Sequence, residues 1–186
     1  MSSTAIDRLL ATVRNRLAKS GYADRYKTES AFEADVWARL LKLIPRGAQA
    51  TCCLTSHKKL PGRSHAAWTA FCREERGPDV NALGSKNRLD IVVKHPRQGS
   101  LGIEVKCLGR RGHARKLTQG LGQAMLALAH RDRTLLLIHC GTVPIEERKR
   151  LRGIADAICQ GARVSIVVVP DVEPRTLATV GRLTSR

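Results

Sequence analysis

Nothing in this sequence approaches the roughly 18 consecutive apolar residues that a bilayer-crossing helix requires, and no lipidation pattern is present. A secretion signal's unbroken apolar run is missing too, because Asp7, Arg8, Arg14 and Arg16 punctuate the N-terminal segment. These absences lead us to expect a cytoplasmic protein with no membrane partner. C-x-x-C spacing is lacking among the six cysteines, Cys52, Cys53, Cys72, Cys107, Cys140 and Cys159. Several lie in apolar runs, which suits reduced, buried thiols better than disulfides. Cys53, His57, His65 and Cys72 do not have the gaps of a common zinc module. Acids are scarce as well: 16 Asp and Glu stand against 33 Lys and Arg, a formal charge of +17.

That surplus runs along the whole chain, and a polyanion is its simplest partner, since each phosphate neutralised releases condensed counterions. A basic surface that only maintains solubility is the competing explanation. A hydrophobic content of 42% in 186 residues is ordinary for a globular chain and predicts one domain with a core and appendages.

Ile6, Leu9, Leu10, Val13 and Leu17 recur at helical spacing and predict a basic amphipathic helix over 4–20, either packed on the core or lying along a phosphate backbone. A second helix is expected over 28–44, ending at Pro45, with Phe32, Val36, Trp37, Leu40, Leu41 and Ile44 as its apolar stripe. Glu29 and Glu33 fall within that stripe, where acids need a reason. Residues 48–55 read as a strand. The polar segment 57–88 reads as an insertion with a short helix over 65–76, and it carries Lys58, Lys59, Arg63, Arg73, Arg76, Lys86 and Arg88. Its basic residues suit either phosphate contacts or ordinary solvated charge.

Two strands, 89–95 and 101–108, follow as a hairpin about the turn 96–100, with its Pro and Gly. A helix over 114–130, an apolar strand over 134–140, a helix over 144–160 and a strand over 164–169 stopped by Pro170 complete the order, before a loosely held tail. Buried strands alternating with helices predict an α/β fold, a mixed sheet covered on both faces.

If His95 faces Leu101, Asp90 lies opposite Lys106 and Val92 opposite Glu104. Ile91, Val93, Leu101, Ile103 and Val105 then form one apolar face, while Asp90, Glu104 and Lys106 share the other. Asp90 and Glu104 become diagonal neighbours roughly 7–8 Å apart, within reach of one cation. Carboxylates and an ammonium on an apolar sheet are costly unless paired or metal-bound, and a hard divalent cation would supply the pairing. A cross-strand Asp90–Lys106 ion pair on a solvated face is the alternative.

Leu89-Asp90 followed by Glu104-Val105-Lys106, with the order of elements from 28 to 141, resembles the PD-(D/E)xK or restriction-endonuclease-like nucleases. The resemblance implies a core of helix, three strands, helix and strand, to which this chain adds an N-terminal basic helix and a C-terminal helix and strand. It implies a magnesium- or manganese-dependent nuclease acting on nucleic acid, DNA in preference to RNA, with a homodimer where duplex cleavage requires one. Asp90 and Glu104 would bind the metal, the Val105 carbonyl would complete its shell, and Lys106 would orient the attacking water or stabilise phosphate charge. The family's helix acid, a further metal ligand, would be Glu29 or Glu33. Glu29 sits in a Glu-Ser-x-Phe opening like that of several members, whereas Ser30-x-x-Glu33 also reads as a capping box.

Many members carry a Gln on the next helix, which implies Gln119 or Gln123 here, although Ala127 stands where an aromatic often follows. A solvated helix face explains both glutamines equally well. The departure at the start of the pattern, Leu89 for Pro, is common in the family. Arg110, Arg111, Arg115 and Lys116 follow the second hairpin strand in a Gly-rich loop that opens a helix, suited to a phosphate or to plain turn chemistry. Two other readings account for the charge but leave the acids unexplained: a non-catalytic nucleic-acid-binding module with this fold, and an RNA-binding protein of the translation machinery.

Overall fold

The first helix, α1 (Ala5–Ala18), starts where the chain supplies a capping box: the Thr4 hydroxyl accepts from the Asp7 amide and the Asp7 carboxylate accepts from the Thr4 amide. In this computed structural model the described residues are 4–44, 46–52, 80–82, 85–87, 89–109, 113–159 and 163–170. α1 buries Leu9, Val13 and Leu17, so it packs on the core, and Asp7 pairs with Arg133 at 2.9 Å.

The second helix, α2 (Glu29–Leu43), is capped by Thr28, whose hydroxyl accepts from the Ala31 amide at 3.1 Å. This corrects the expected Ser30-x-x-Glu33 box: the cap sits two residues earlier, and Ser30 is already inside the helix. Ile44 adopts an extended ψ of 149°, as a residue before proline does, and the helix stops there. Strand β1 (Gln49–Cys52) follows. Within the expected insertion, β2 (Val80–Ala82) and β3 (Ser85–Asn87) pair as a small antiparallel ribbon that the polar composition did not predict. The expected helix over 65–76 lies outside the described residues.

The main sheet continues with β4 (Ile91–His95), β5 (Gly99–Cys107), β6 (Arg133–His139) and β7 (Val164–Val169), in the order β1-β4-β5-β6-β7. β1, β4 and β5 pair antiparallel, and β5, β6 and β7 run parallel. Helices α3 (His113–Leu126) and α4 (Ile145–Cys159) supply the two crossovers, with a 3-10 turn at Ala127–Ala129 after α3. The result is α/β, an open mixed sheet with helices on both faces. One core joins α1 and α2 to Ile91, Val93, Leu101, Ile103, Val105, Leu135 and Leu137. The other lies under α3 and α4, around Ala124, Ala155, Leu136, Ile138, Ile166 and Val168. Among the described residues no helix is long and apolar enough to cross a membrane.

The hairpin register differs from the expected one. Ile91 pairs with Ile103, Val93 with Leu101 and His95 with Gly99, because the turn is three residues long instead of five. The Gln98 amide donates to the His95 carbonyl at 3.2 Å, and Gly99 then takes φ 103°, a left-handed conformation that a residue with a side chain resists. A one-residue slip would exchange the faces, but this two-residue slip preserves them. Continuing the ladder by one step puts Asp90 opposite Glu104 instead of Lys106.

Candidate active site

Alternation along β5 sends Ile103 and Val105 into the α1/α2 core and leaves Glu104 and Lys106 on the face under α3. Glu104 is 0% exposed and Lys106 5%, and the Lys106 Nζ donates to Glu104 Oε1 at 2.6 Å. Asp90, immediately before β4 and partly buried, accepts the Val105 amide at 2.8 Å through Oδ2. Its carboxyl is close enough to the Glu104 carboxyl for the two charges to repel. Glu104 Oε2 is buried with no hydrogen-bond partner among the described residues.

Burial, more than the Lys106 charge can offset, pushes the Asp90 carboxyl up to about 6. Burial and then repulsion from Asp90 push Glu104 up to about 8. Desolvation alone would lower Lys106, but the Glu104 carboxylate beside it wins and holds the ammonium above its usual range. Lys106 is already shared between Glu104 and Glu29, so when Asp90 and Glu104 both ionise, Asp90 repels Glu104 and has no ion-pair partner of its own among the described residues. Carboxylate oxygens are the donors a hard divalent cation prefers, so the pair fits one. Among the described residues no group of three or more His, Cys, Asp or Glu side chains stands where it would hold a metal. Val105, expected to offer a carbonyl, contributes its amide to Asp90.

Of the two candidate helix acids, Glu29 reaches the cluster. From the first turn of α2 its Oε1 lies 3.4 Å from Lys106 Nζ and its Oε2 accepts the Cys107 amide at 3.2 Å. Glu33 is 5% exposed, one turn along beside Phe32 on the buried side of α2. From α3 the arriving side chain is Lys116, which donates to the Cys107 carbonyl at 2.8 Å and stands 4.0 Å from Glu29 Oε2. Gln119 is exposed and, with Arg115 and Gln123, lines a shallow cavity of about 510 Å³. Neither glutamine touches the cluster among the described residues, and Gln123 Oε1 is buried without a partner. One turn beyond Lys116, Gly120 lets α3 ride on the Lys106 stem: a Cβ there would meet Lys106 Cγ at 2.7 Å and Leu136 Cδ1 at 2.9 Å. Lys58, Lys59, Arg63, Arg73, Arg88, Arg110 and Arg111, with Cys53, His57, His65 and Cys72, lie outside the described residues.

No protein-family model, curated protein or solved structure matches this chain.

Beside the cluster, at the carboxyl ends of β5 and β6, lies a cavity of about 540 Å³ whose wall includes Arg25, Lys27, Glu29, Lys116 and His139. Sequence reading singled out neither Arg25, Lys27 nor His139. The Ala23 carbonyl can only accept, so its 2.8 Å contact with His139 Nε2 requires the proton on Nε2. His139 Nδ1 is then the acceptor, facing the Gly141 amide at 3.4 Å and the Cys107 thiol at 3.7 Å. Tyr26 meets the ring edge-on at 4.8 Å and Phe32 is tilted against it at 5.2 Å. Burial lowers the His139 pKa and keeps the ring neutral. A Cβ on Gly141 would fall 1.7 Å from the Asp24 carbonyl oxygen, so the segment before α2 crosses the end of β6 in direct backbone contact. The signal for this wall was weak: a single Arg-x-Lys before a helix cap.

Proposed function

We propose that this chain is a metal-dependent nuclease that hydrolyses phosphodiester bonds in nucleic acid, with Asp90, Glu104 and Lys106 at its centre. The observation that carries the reading is the convergence of two carboxyls and one ammonium on the buried face of an apolar sheet, with Glu104 Oε2 left without a donor. Lys106 offsets the Glu104 carboxylate, the Val105 amide satisfies one Asp90 oxygen, and a cation would offset the charge that remains when both acids ionise. The order helix, three successively paired strands, helix, strand agrees with the restriction-endonuclease-like core that the Leu89-Asp90 and Glu104-Val105-Lys106 pattern resembles. The +17 charge supplies attraction to the polyanion.

In this reading Asp90 and Glu104 hold magnesium or manganese, which when bound lowers the pKa of a coordinated water and offsets charge building on phosphorus. The Val105 amide fixes the Asp90 carboxyl, and Gly120 gives the Lys106 stem a rigid seat. Glu29 steers the Lys106 ammonium and anchors the end of β5 through the Cys107 amide. Lys106 presents positive charge to the non-bridging phosphate oxygens. DNA is the favoured substrate, and a homodimer would serve cleavage of both strands.

The test incubates the purified protein with linear duplex, single-stranded and branched DNA and with RNA, in magnesium or EDTA, beside Asp90→Asn. Cleavage that needs both magnesium and Asp90 is the expected result. Cleavage indifferent to either rejects the mechanism. Tight binding of every substrate with no cleavage favours the second reading, a binding module that uses the charge alone, which the lack of a three-ligand group among the described residues also suits.

A further inference from the structure

Beside the carboxylate cluster lies the cavity walled by Arg25, Lys27, Glu29, Lys116 and His139. It opens at the carboxyl ends of parallel strands β5 and β6, where open α/β sheets leave a crevice for ligands. At about 540 Å³ it is within the size range of small-molecule sites and has room for one nucleotide. Its wall carries three cations, Arg25, Lys27 and Lys116, against one acid, Glu29. That acid is already committed to Lys106 Nζ and the Cys107 amide. Arg25 and Lys27 form no ion pair among the described residues, so their charge is available to a ligand.

Arg25 and Lys27 stand on a backbone segment that is fixed before any ligand arrives. Their segment is bolted to the sheet by the Ala23 carbonyl on His139, by the Asp24 carbonyl over Gly141, and by Tyr26, whose hydroxyl bonds to Asp35 while its ring packs on His139. A backbone fixed in advance leaves only the exposed Arg25 and Lys27 side chains to be ordered when a ligand binds. Glu29 lines this cavity and also contacts Lys106, so the cavity adjoins the carboxylate cluster directly.

We propose that the cavity is a phosphate subsite: it seats the phosphate of a nucleotide flanking the scissile bond, held by Arg25, Lys27 and Lys116. Its place in catalysis rests on the nuclease reading, whereas the binding of a nucleotide phosphate does not.

Titration of the full-length, metal-free protein with thymidine 5′-monophosphate, with thymidine as the uncharged control, tests it. The monophosphate should bind and thymidine should not. Arg25→Ala with Lys27→Ala should weaken that binding about tenfold or more, the loss of two charge-assisted contacts, and raise the KM for nucleic acid in parallel. Lys19→Ala with Lys42→Ala removes the same charge from exposed positions elsewhere and separates a local contact from general attraction. Equal effects of the two double variants, or none from the first, overturn the subsite. If the wild type cuts nothing yet the monophosphate data follow the expected pattern, the nuclease reading falls and the anion site stands. If cleavage needs magnesium and Asp90 but the two double variants behave alike, the subsite falls alone. A KM change confined to substrates with a 5′-phosphate identifies a terminal group, and a change on all substrates an internal one; both support the site.

Discussion

Two buried polar clusters sit at neighbouring positions on β5 and β6, and their hydrogen-bond accounts differ. Both ring nitrogens of His139 have a use: Nε2 donates to Ala23 and Nδ1 faces the Gly141 amide and the Cys107 thiol, with Tyr26 and Phe32 packed against the ring. Around Glu104 one lysine is shared with Glu29, and Glu104 Oε2 is left over. A satisfied buried network rigidifies its surroundings, while a partly satisfied one pays a continuing penalty that folding alone does not explain. On the proposed nuclease reading His139 is architecture and Glu104 is chemistry, and each side can be broken separately.

The largest expected effect is that of Asp90→Asn. Cleavage should fall by about a thousandfold or more, equivalent to roughly 4 kcal/mol of transition-state stabilisation. Removing one of two mutually repelling acids should at the same time stabilise the metal-free protein at pH 8 by about 1–2 kcal/mol, since one unit of upward shift is worth roughly 1.4 kcal/mol. Steady-state rates and melts in EDTA measure both. Unchanged activity with a lower melting temperature would make the cluster an ordinary ion pair.

His139→Ala should show the opposite pattern. Losing the Ala23 contact and the packing of Tyr26 and Phe32 should destabilise the fold by about 2–4 kcal/mol. The loss would appear in the urea midpoint, and the fraction still folded should cut faster than Asp90→Asn does. A stable but inactive His139→Ala would transfer His139 to the chemical side of the comparison.

How far these roles were legible beforehand differs between the clusters for a physical reason. Val164–Val169 was bounded correctly because an apolar run, interrupted by Ser165 alone, meets Pro170. Sharing of one face by Asp90, Glu104 and Lys106 was also legible, because side-chain parity survives the two-residue register slip. Register itself was not, since it turned on Gly99 adopting a positive φ, and the residue types 96–100 fit turns of several lengths. Thr28 and Ser30 are both good caps, and only the helix start distinguishes them. Helical periodicity placed Gln119 and Gln123 on one polar stripe with Lys116 and His130 without saying which of them meets β5; it is Lys116, because Gly120 draws that line of α3 against Lys106. The His139 cluster was illegible because its key contact spans 116 positions, and no local pattern encodes it.

Gly120→Ala tests the seat that positions Lys106. The added methyl meets Lys106 Cγ, near the backbone and unable to swing away, so overpacking should cost about 1–3 kcal/mol. If α3 sets the height of the ammonium, kcat should fall with little change in KM. A compensating Leu136→Val, which removes the second clash, should recover stability more than rate.

The smallest effect is on pH dependence, and it again separates the two clusters. The His139 pKa is lowered by burial first and by Arg148, against the opposing Ala23 bond and Asp24 charge, so the unfolded chain takes up its proton before the folded one does. The stability from neutral His139 is therefore fully present above the ordinary histidine value of about 6.5 and is lost as pH falls through it toward the lower folded value. Asp90 and Glu104 act in the other direction, because their raised values favour the folded state as pH falls. Wild type alone would show the sum. His139→Gln keeps a donor for Ala23 but cannot titrate, so the difference in urea midpoint between the two proteins at pH 7 and pH 5 isolates the histidine. That difference should move in favour of His139→Gln at pH 5, and a gap that stays constant would mean the ring is not held neutral.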